Sequence, residues 1–215
     1  SVRFAGTAIE KESSCGEVVA ELSDCEIVRA LPFDLPIIGY SKAPTAPIAT
    51  LRLWSTKESP RNFGLQRFNA GRLDQAAENT SLTDVLYPND NHEAGKRIRL
   101  KQEFLLVSAS LQDIINQHLE RCDSIESLPD AVRIQINDTH PALAIAELTR
   151  MLMKHHDLPF SKALETTRAC CSYTNHTILK EALEEWNTER LRELLPRQYA
   201  VIERIDYSLR KDVRN

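Results

Sequence analysis

Val132-Arg133-Ile134-Gln135-Ile136-Asn137 alternates apolar and polar residues and runs directly into Asp138-Thr139-His140-Pro141. A period of two predicts a strand over residues 132–136. The four polar residues that follow predict a sharp corner. Thr139 or His140 is expected near a helix N-cap, with Pro141 in the first turn, where its missing N–H costs nothing. Leu143, Leu148, Met151 and Leu152 supply the apolar face of that helix. A second helix is expected from Ser161 to about Cys170. Cys171-Ser172-Tyr173-Thr174 then reads as extended and ends in a second polar corner, Asn175-His176-Thr177. Strand, helix, helix, strand is the order of an α/β layer with parallel strands. In such sheets ligands sit beyond the carboxyl ends of the strands. That rule selects the corners at 137–140 and 175–177 as candidate site.

Further along, Glu181–Trp186, Thr188–Leu195 and Pro196 to about Leu209 read as helices. Upstream, residues 121–130 form a polar linker. Before it, Leu100, Phe104, Val107, Leu111 and Ile114 recur at spacings of 4, 3, 4 and 3. One apolar stripe of this kind predicts a long helix from about Gly95 to His118. Tyr87-Pro88-Asn89-Asp90-Asn91 is a loop, its small polar residues favouring Asx turns, and Asp74–Asn79 is a short helix. Residues 56–70 are polar and turn-rich. Residues 1–55 are β-rich, with strands in Val2–Ile9, Glu17–Leu22, Glu26–Phe33 and Leu51–Trp54. Pro32, Pro36, Pro44 and Pro47 around Gly39-Tyr40 mark an irregular connection.

The 215 residues suffice for one or two domains with a sizeable core. Lys and Arg number 27 against 31 Asp and Glu, a net charge of −4 that argues against a dedicated nucleic-acid binder. With 42% hydrophobic and 27% charged residues the chain is globular rather than disordered. No apolar run reaches the ~18 residues that span a bilayer, and no secretory signal is visible. Cys15, Cys25, Cys122, Cys170 and Cys171 are odd in number and lack metal-site spacing, so reduced thiols and no metal are expected.

Amide, carboxylate, hydroxyl and imidazole stand together at Asn137-Asp138-Thr139-His140. Such a set suits a polyhydroxylated ligand, because each sugar hydroxyl both donates and accepts. The plainer reading makes Asp138 and Thr139 helix caps and Asn175-His176-Thr177 a turn. A Ser-His-Asp hydrolase lacks its Gly-x-Ser-x-Gly elbow here. The six glycines are isolated, so no phosphate-binding glycine loop exists. Lys96, Arg97, Arg99 and Lys101 put positive charge at the start of the long helix, against its dipole, which calls for a carboxylate such as Glu93 nearby.

Taken together, these stretches resemble the α-glucan (glycogen, starch or maltodextrin) phosphorylase family. The resemblance is carried by Tyr87-Pro88-Asn89-Asp90-Asn91, Arg99-Leu100-Lys101-Gln102-Glu103-Phe104, Ser110-Leu111-Gln112-Asp113-Ile114, Ile136-Asn137-Asp138-Thr139-His140-Pro141, Tyr173-Thr174-Asn175-His176-Thr177, Glu181-Ala182-Leu183-Glu184 and Leu194-Leu195-Pro196-Arg197. It covers nearly the whole chain in order. It implies a fragment, residues 1–215, of the Rossmann-like N-terminal domain of a two-domain glycosyltransferase fold, with a β-rich part (1–55) and an α/β part (72–215).

The implied activity of the parent is retaining phosphorolysis. A terminal α-1,4-linked glucose passes from a glucan to inorganic phosphate, giving glucose 1-phosphate. The cofactor implied is pyridoxal phosphate, carried by a C-terminal domain outside this chain, whose phosphate group serves in proton transfer. By resemblance, His176 holds a glucosyl hydroxyl and Asn91 another, and Asp138 lines the same pocket; these three are the expected catalytic positions. Asn89, Asp90, His140, Thr177 and Ala182 are further expected substrate contacts. A cytoplasmic enzyme is implied, a homodimer if the family's contacts are kept, with no nucleic-acid or membrane partner. Nucleotide-regulated members carry paired arginines late in the long helix; Asn116-Gln117 stand here, so activation by AMP is not expected. Two other classes stay open on the residues alone: a non-catalytic sugar-binding or interaction module, and a nucleotide-sugar glycosyltransferase.

Overall fold

The computed structural model describes residues 1–40, 48–57, 69–71, 73–180 and 183–214. Six strands come first: β1 (Val2–Phe4), β2 (Thr7–Glu12), β3 (Val18–Ser23), β4 (Glu26–Val28), β5 (Leu31–Ile37) and β6 (Ala49–Ser55). Helices α1 (Leu73–Ser81), α2 (Glu93–Leu119) and α3 (Leu128–Ala131) follow, then strand β7 (Ile134–Asn137). Helices α4 (Ala144–His156) and α5 (Phe160–Cys170), strand β8 (Cys171–Thr174), and helices α6 (Thr188–Leu194) and α7 (Pro196–Arg214) complete a mixed α/β fold. The chain divides into two compact units, residues 1–2 with 27–102 and residues 3–26 with 103–215.

In the second unit β7 and β8 pair in parallel, with Ile134 opposite Cys171 and Asn137 opposite Thr174. The two helices between them supply the crossover that a parallel pair requires. Leu148, Met151 and Leu152 of α4, Ala163 and Cys170 of α5, Ile136 of β7 and Leu111 and Ile115 of α2 form one buried cluster. The edge-on ring pair of Phe4 and Phe104, with centroids 5.7 Å apart, adds to the packing of this unit. Strands β2 and β3 form an antiparallel hairpin. Ala5 at φ 51° and Gly6 at φ 89° bend the chain just before it. A side chain at position 6 would run into the Ser23 carbonyl, so the turn takes glycine. This bend cuts the strand expected over 2–9 into two.

In the first unit β5 and β6 are antiparallel, with Phe33 opposite Leu53 and Leu35 opposite Leu51. The other face of this ribbon carries the Arg52–Asp34 ion pair, 2.6 Å between Nη2 and Oδ2. Buried Thr56 donates to the Thr80 carbonyl at 3.0 Å. The Lys101 ammonium is fully buried and donates to Glu78 at 2.9 Å and Asn79 at 3.0 Å. Gln102 donates to the carbonyls of Leu82 and Val85 at 2.8 and 2.6 Å. These bonds satisfy the polar groups that α2 buries in this unit.

Other expectations fail locally: the strand expected over 26–33 breaks between β4 and β5, and Pro32 and Pro36 lie within β5 rather than in an irregular connection. The helix after β7 begins at Ala144, with Leu143 at its N-cap and no side-chain cap. Residues 139–143 are turns instead, with Ala142 N–H donating to the Thr139 carbonyl and Ala144 N–H to that of Pro141. The polar stretch 121–130 is not a plain linker. It holds a 3₁₀ turn (Ile125–Ser127) capped by the Ser124 side chain, and α3, whose Leu128 is buried in the core. Leu183–Trp186 is not helical, because Asn187 caps α6 through 2.8 and 3.2 Å bonds from Glu189 and Arg190 N–H. An N-cap residue leaves helical geometry, and Asn187 at φ −61° and ψ 129° does so, which ends the helix on its N-terminal side. Glu181 and Ala182, like Pro44, Pro47 and residues 58–68, lie outside the described residues.

Candidate functional site

The ladder between β7 and β8 ends with the Asp138 N–H donating to the Thr174 carbonyl at 2.8 Å. The two polar corners therefore leave the sheet side by side. At the first, Asp138 lies in the left-handed region at φ 72°, and its Oδ1 accepts from the next N–H, that of Thr139, at 2.8 Å. A short polar side chain tolerates this backbone better than a branched one. Asp138 is thus a corner residue and not the cap of α4.

At the second corner Asn175 closes an Asx turn. Its Oδ1 accepts from Thr177 N–H at 3.2 Å and its amide donates to the Thr177 carbonyl at 2.9 Å. Thr177 Oγ1 accepts in turn from Leu179 N–H at 3.2 Å. The His176 ring stands between the strand ends, with Nε2 2.5 Å from Asn137 Oδ1. Gln135 of β7 donates to Thr174 Oγ1 at 2.8 Å, tying side chains across the same ladder. Asn137, Asp138, His176 and Thr177 are thereby gathered at one rim.

His140 takes another direction. With Thr139 it lines a cavity of about 430 Å³ whose walls include Glu103, Glu184, Trp186 and Ile202. Neither Asp138 nor His176 lines it. Beneath this half of the unit lies a buried polar network. Glu147 accepts from Ser108 at 2.7 Å, from Gln198 at 2.7 Å, and from Arg150 at 2.7 and 3.0 Å. Burial alone would raise the Glu147 carboxyl, but the Arg150 charge and these hydrogen bonds outweigh it and hold the carboxyl below its usual value. Burial and the neighbouring Arg150 charge push the Arg197 guanidinium down to about 10. Burial pushes the Cys171 thiol up to about 11, so it stays protonated and unreactive at neutral pH.

In the first unit the loop before α2 is equally well defined. Asn89 Oδ1 accepts from Asn91 N–H at 2.9 Å, the Asx turn expected of this sequence. Asp90 accepts from Arg99 Nη1 at 2.6 Å, and Arg99 stacks over the Tyr87 ring at 5.7 Å. Lys96 reaches Glu93 at 3.5 Å. The positive helix start therefore has carboxylates against it, as electrostatics requires. Gly95 N–H donates to His92 Nδ1 at 2.9 Å, and a Cβ at position 95 would collide with the Asn89 carbonyl. Asn89, Asp90 and Asn91 belong to this unit, whereas Asp138, His140, His176 and Thr177 belong to the other. Ala182 lies outside the described residues.

The family model for carbohydrate phosphorylase matches residues 1–215. The chain belongs to the carbohydrate phosphorylase family. It is 44% identical over 209 residues to a glycogen phosphorylase of Chlamydia pneumoniae, covering 95% of this chain and 25% of that protein. It is 43% identical over 202 residues to the liver form of glycogen phosphorylase from Bos taurus, covering 88% and 23%. With the human brain form the identity is 44% over 193 residues, covering 83% and 22%. The chain thus spans about a quarter of the length of the curated relatives it matches. Glu103 and Trp186 line the cavity beside His140 without having stood out in the sequence. Glu103 offered a signal, since it is a carboxylate directly beside Phe104 of the apolar stripe, and the structure leaves it 8% exposed. Trp186 offered none, because its place depends on the non-helical approach to Asn187.

Proposed function

We propose that the parent protein is an α-glucan phosphorylase that transfers a terminal α-1,4-linked glucose to inorganic phosphate, releasing glucose 1-phosphate. The observation that carries this reading is the parallel β7–β8 pair. Its register sets the Asp138 and His176 corners side by side at the carboxyl ends of adjacent strands, in a chain about 44% identical to glycogen phosphorylases. This is where an α/β sheet places its ligand. The strand–helix–helix–strand crossover supports assigning residues 1–215 to a Rossmann-like N-terminal domain, with its β-rich and α/β parts. A cytoplasmic setting and a homodimer belong to the same reading.

In this proposal His176 binds a glucosyl hydroxyl at the β7–β8 rim, where Asp138 stands near the developing positive charge, and Asn91 is a further residue proposed to bind a glucosyl hydroxyl. Oriented dipoles and a carboxylate favour an oxocarbenium-like transition state in a site that excludes water. Thr177 is proposed to line the same rim as His176, and Asn89, Asp90, His140 and Ala182 are each proposed as further sugar contacts of the parent. The family's pyridoxal phosphate is not suited by the residues here. Lys101 is the one fully buried lysine among the described residues, and its ammonium is held by Glu78 and Asn79. The cofactor's chemistry is left to parts of the parent outside residues 1–215. The test is glucose 1-phosphate release from glycogen and phosphate by the full-length protein. Release supports the reading, and its absence from folded, cofactor-loaded protein overturns it.

A further inference from the structure

We propose that Asn137 is a positioning residue that fixes the tautomer and direction of the His176 ring, so that His176 Nδ1 serves as the hydrogen-bond acceptor for a sugar hydroxyl. The Asn137 carboxamide oxygen stands 2.5 Å from His176 Nε2. An amide oxygen only accepts, so the ring nitrogen facing it must carry the proton. A neutral imidazole has one such proton, and placing it on Nε2 leaves the lone pair on Nδ1. Nδ1 has no partner among the described residues, and His176 is exposed at the rim. A hydroxyl that donates to Nδ1 is therefore accepted, and a group that only accepts is refused.

The backbone makes this pairing a property of the sheet rather than of one rotamer. Asn137 is the last residue of β7 and lies opposite Thr174, two residues before His176. The Asp138 N–H to Thr174 carbonyl bond locks the strand ends at 2.8 Å. The Asn175 Asx turn brackets His176 from its other side. The β7–β8 ladder thus sets the position of Asn137, and the ladder together with the Asn175 side-chain turn sets that of His176.

This inference rests on the sugar site proposed above, so its test separates the two. The full-length enzyme is labelled with ¹⁵N in histidine and measured at pH 8 without glucan, the His176 signals being assigned by their loss in His176→Gln. The wild type is expected to show the Nε2–H tautomer. Asn137→Asp keeps an acceptor oxygen and should keep that tautomer, whereas Asn137→Leu should give a mixture. In parallel, Asn137→Leu should lower kcat/KM for the glucan by about 10- to 100-fold, with circular dichroism and unfolding midpoint close to wild type. Asn137→Asp should recover most of that loss. An Nδ1–H tautomer in the wild type, or an unchanged tautomer in Asn137→Leu, overturns the assignment. Should wild-type enzyme lack phosphorolysis, the functional reading fails by itself and the tautomer spectra still decide the role of Asn137.

Discussion

Asp138 holds its corner in a backbone region that costs most L-residues roughly 1–2 kcal/mol. Asp138→Gly should therefore leave stability within ~1 kcal/mol, by trading the local Oδ1 bond for an easier backbone. Asp138→Val should destabilise by about 2 kcal/mol or more, since a branched side chain is strained at positive φ and the bond to Thr139 N–H is lost. Urea unfolding of the two variants checks this, and equal midpoints would contradict it. His176 belongs to the same scale but to activity rather than stability. Its side chain is exposed and its bonds are few, so His176→Ala should unfold near the wild-type midpoint. In the full-length enzyme it should lower kcat/KM by an amount on the order of 2–4 kcal/mol if its sugar contact strengthens in the transition state. Steady-state kinetics with glycogen measure the loss.

Helices α2, α4 and α7 each contribute a polar residue to the buried network around Glu147, namely Ser108, Arg150 and Gln198. Removing the carboxylate leaves the Arg150 charge buried at 6% exposure without its counter-ion. Glu147→Ala should accordingly cost about 3–5 kcal/mol, read from denaturant unfolding. The network also sets an acid limit. The folded Glu147 carboxyl titrates below its usual value, so its contribution is full above the unfolded-state pKa of about 4.3. It is lost as pH falls through the lower folded value. Stability of Glu147→Gln should change less between pH 5 and pH 3 than that of the wild type.

Over the whole molecule, the striped face of the β5–β6 ribbon stands out, because Phe33, Leu35, Leu51 and Leu53 are all more than 40% exposed. The cross-strand pairs Phe33–Leu53 and Leu35–Leu51 make these side chains one contiguous apolar patch, the kind of surface that favours association. The 215-residue chain alone should therefore bind a hydrophobic dye strongly. It should also release no glucose 1-phosphate from glycogen, since its residues do not fit the family's cofactor. Dye fluorescence and a coupled assay test the two statements separately. Clear turnover by the purified chain would contradict the second.

The alternation of 132–136, the stripe from Leu100 to Ile114, of which Ile114 is only half-buried while Ile115 is buried, and the polar corners at 137–140 and 175–177 were legible because each is a local signal of fixed period or residue type. They determined the long helix, the strand–helix–helix–strand order from β7 to β8, and the family. Where chain neighbours do not decide the outcome, the sequence was silent. Helix α4 starts at Ala144 because turns at 139–143 satisfy the backbone first, and the next helix starts only after Asn187, whose side chain takes the cap, so Leu183–Trp186 is not helical. Tertiary structure alone paired β7 with β8 in the register that lays Asn137 against His176. It also turned His140 toward a cavity shared with Glu103 and Trp186. Both depend on bonds and packing between residues tens of positions apart, which no periodicity in the chain encodes.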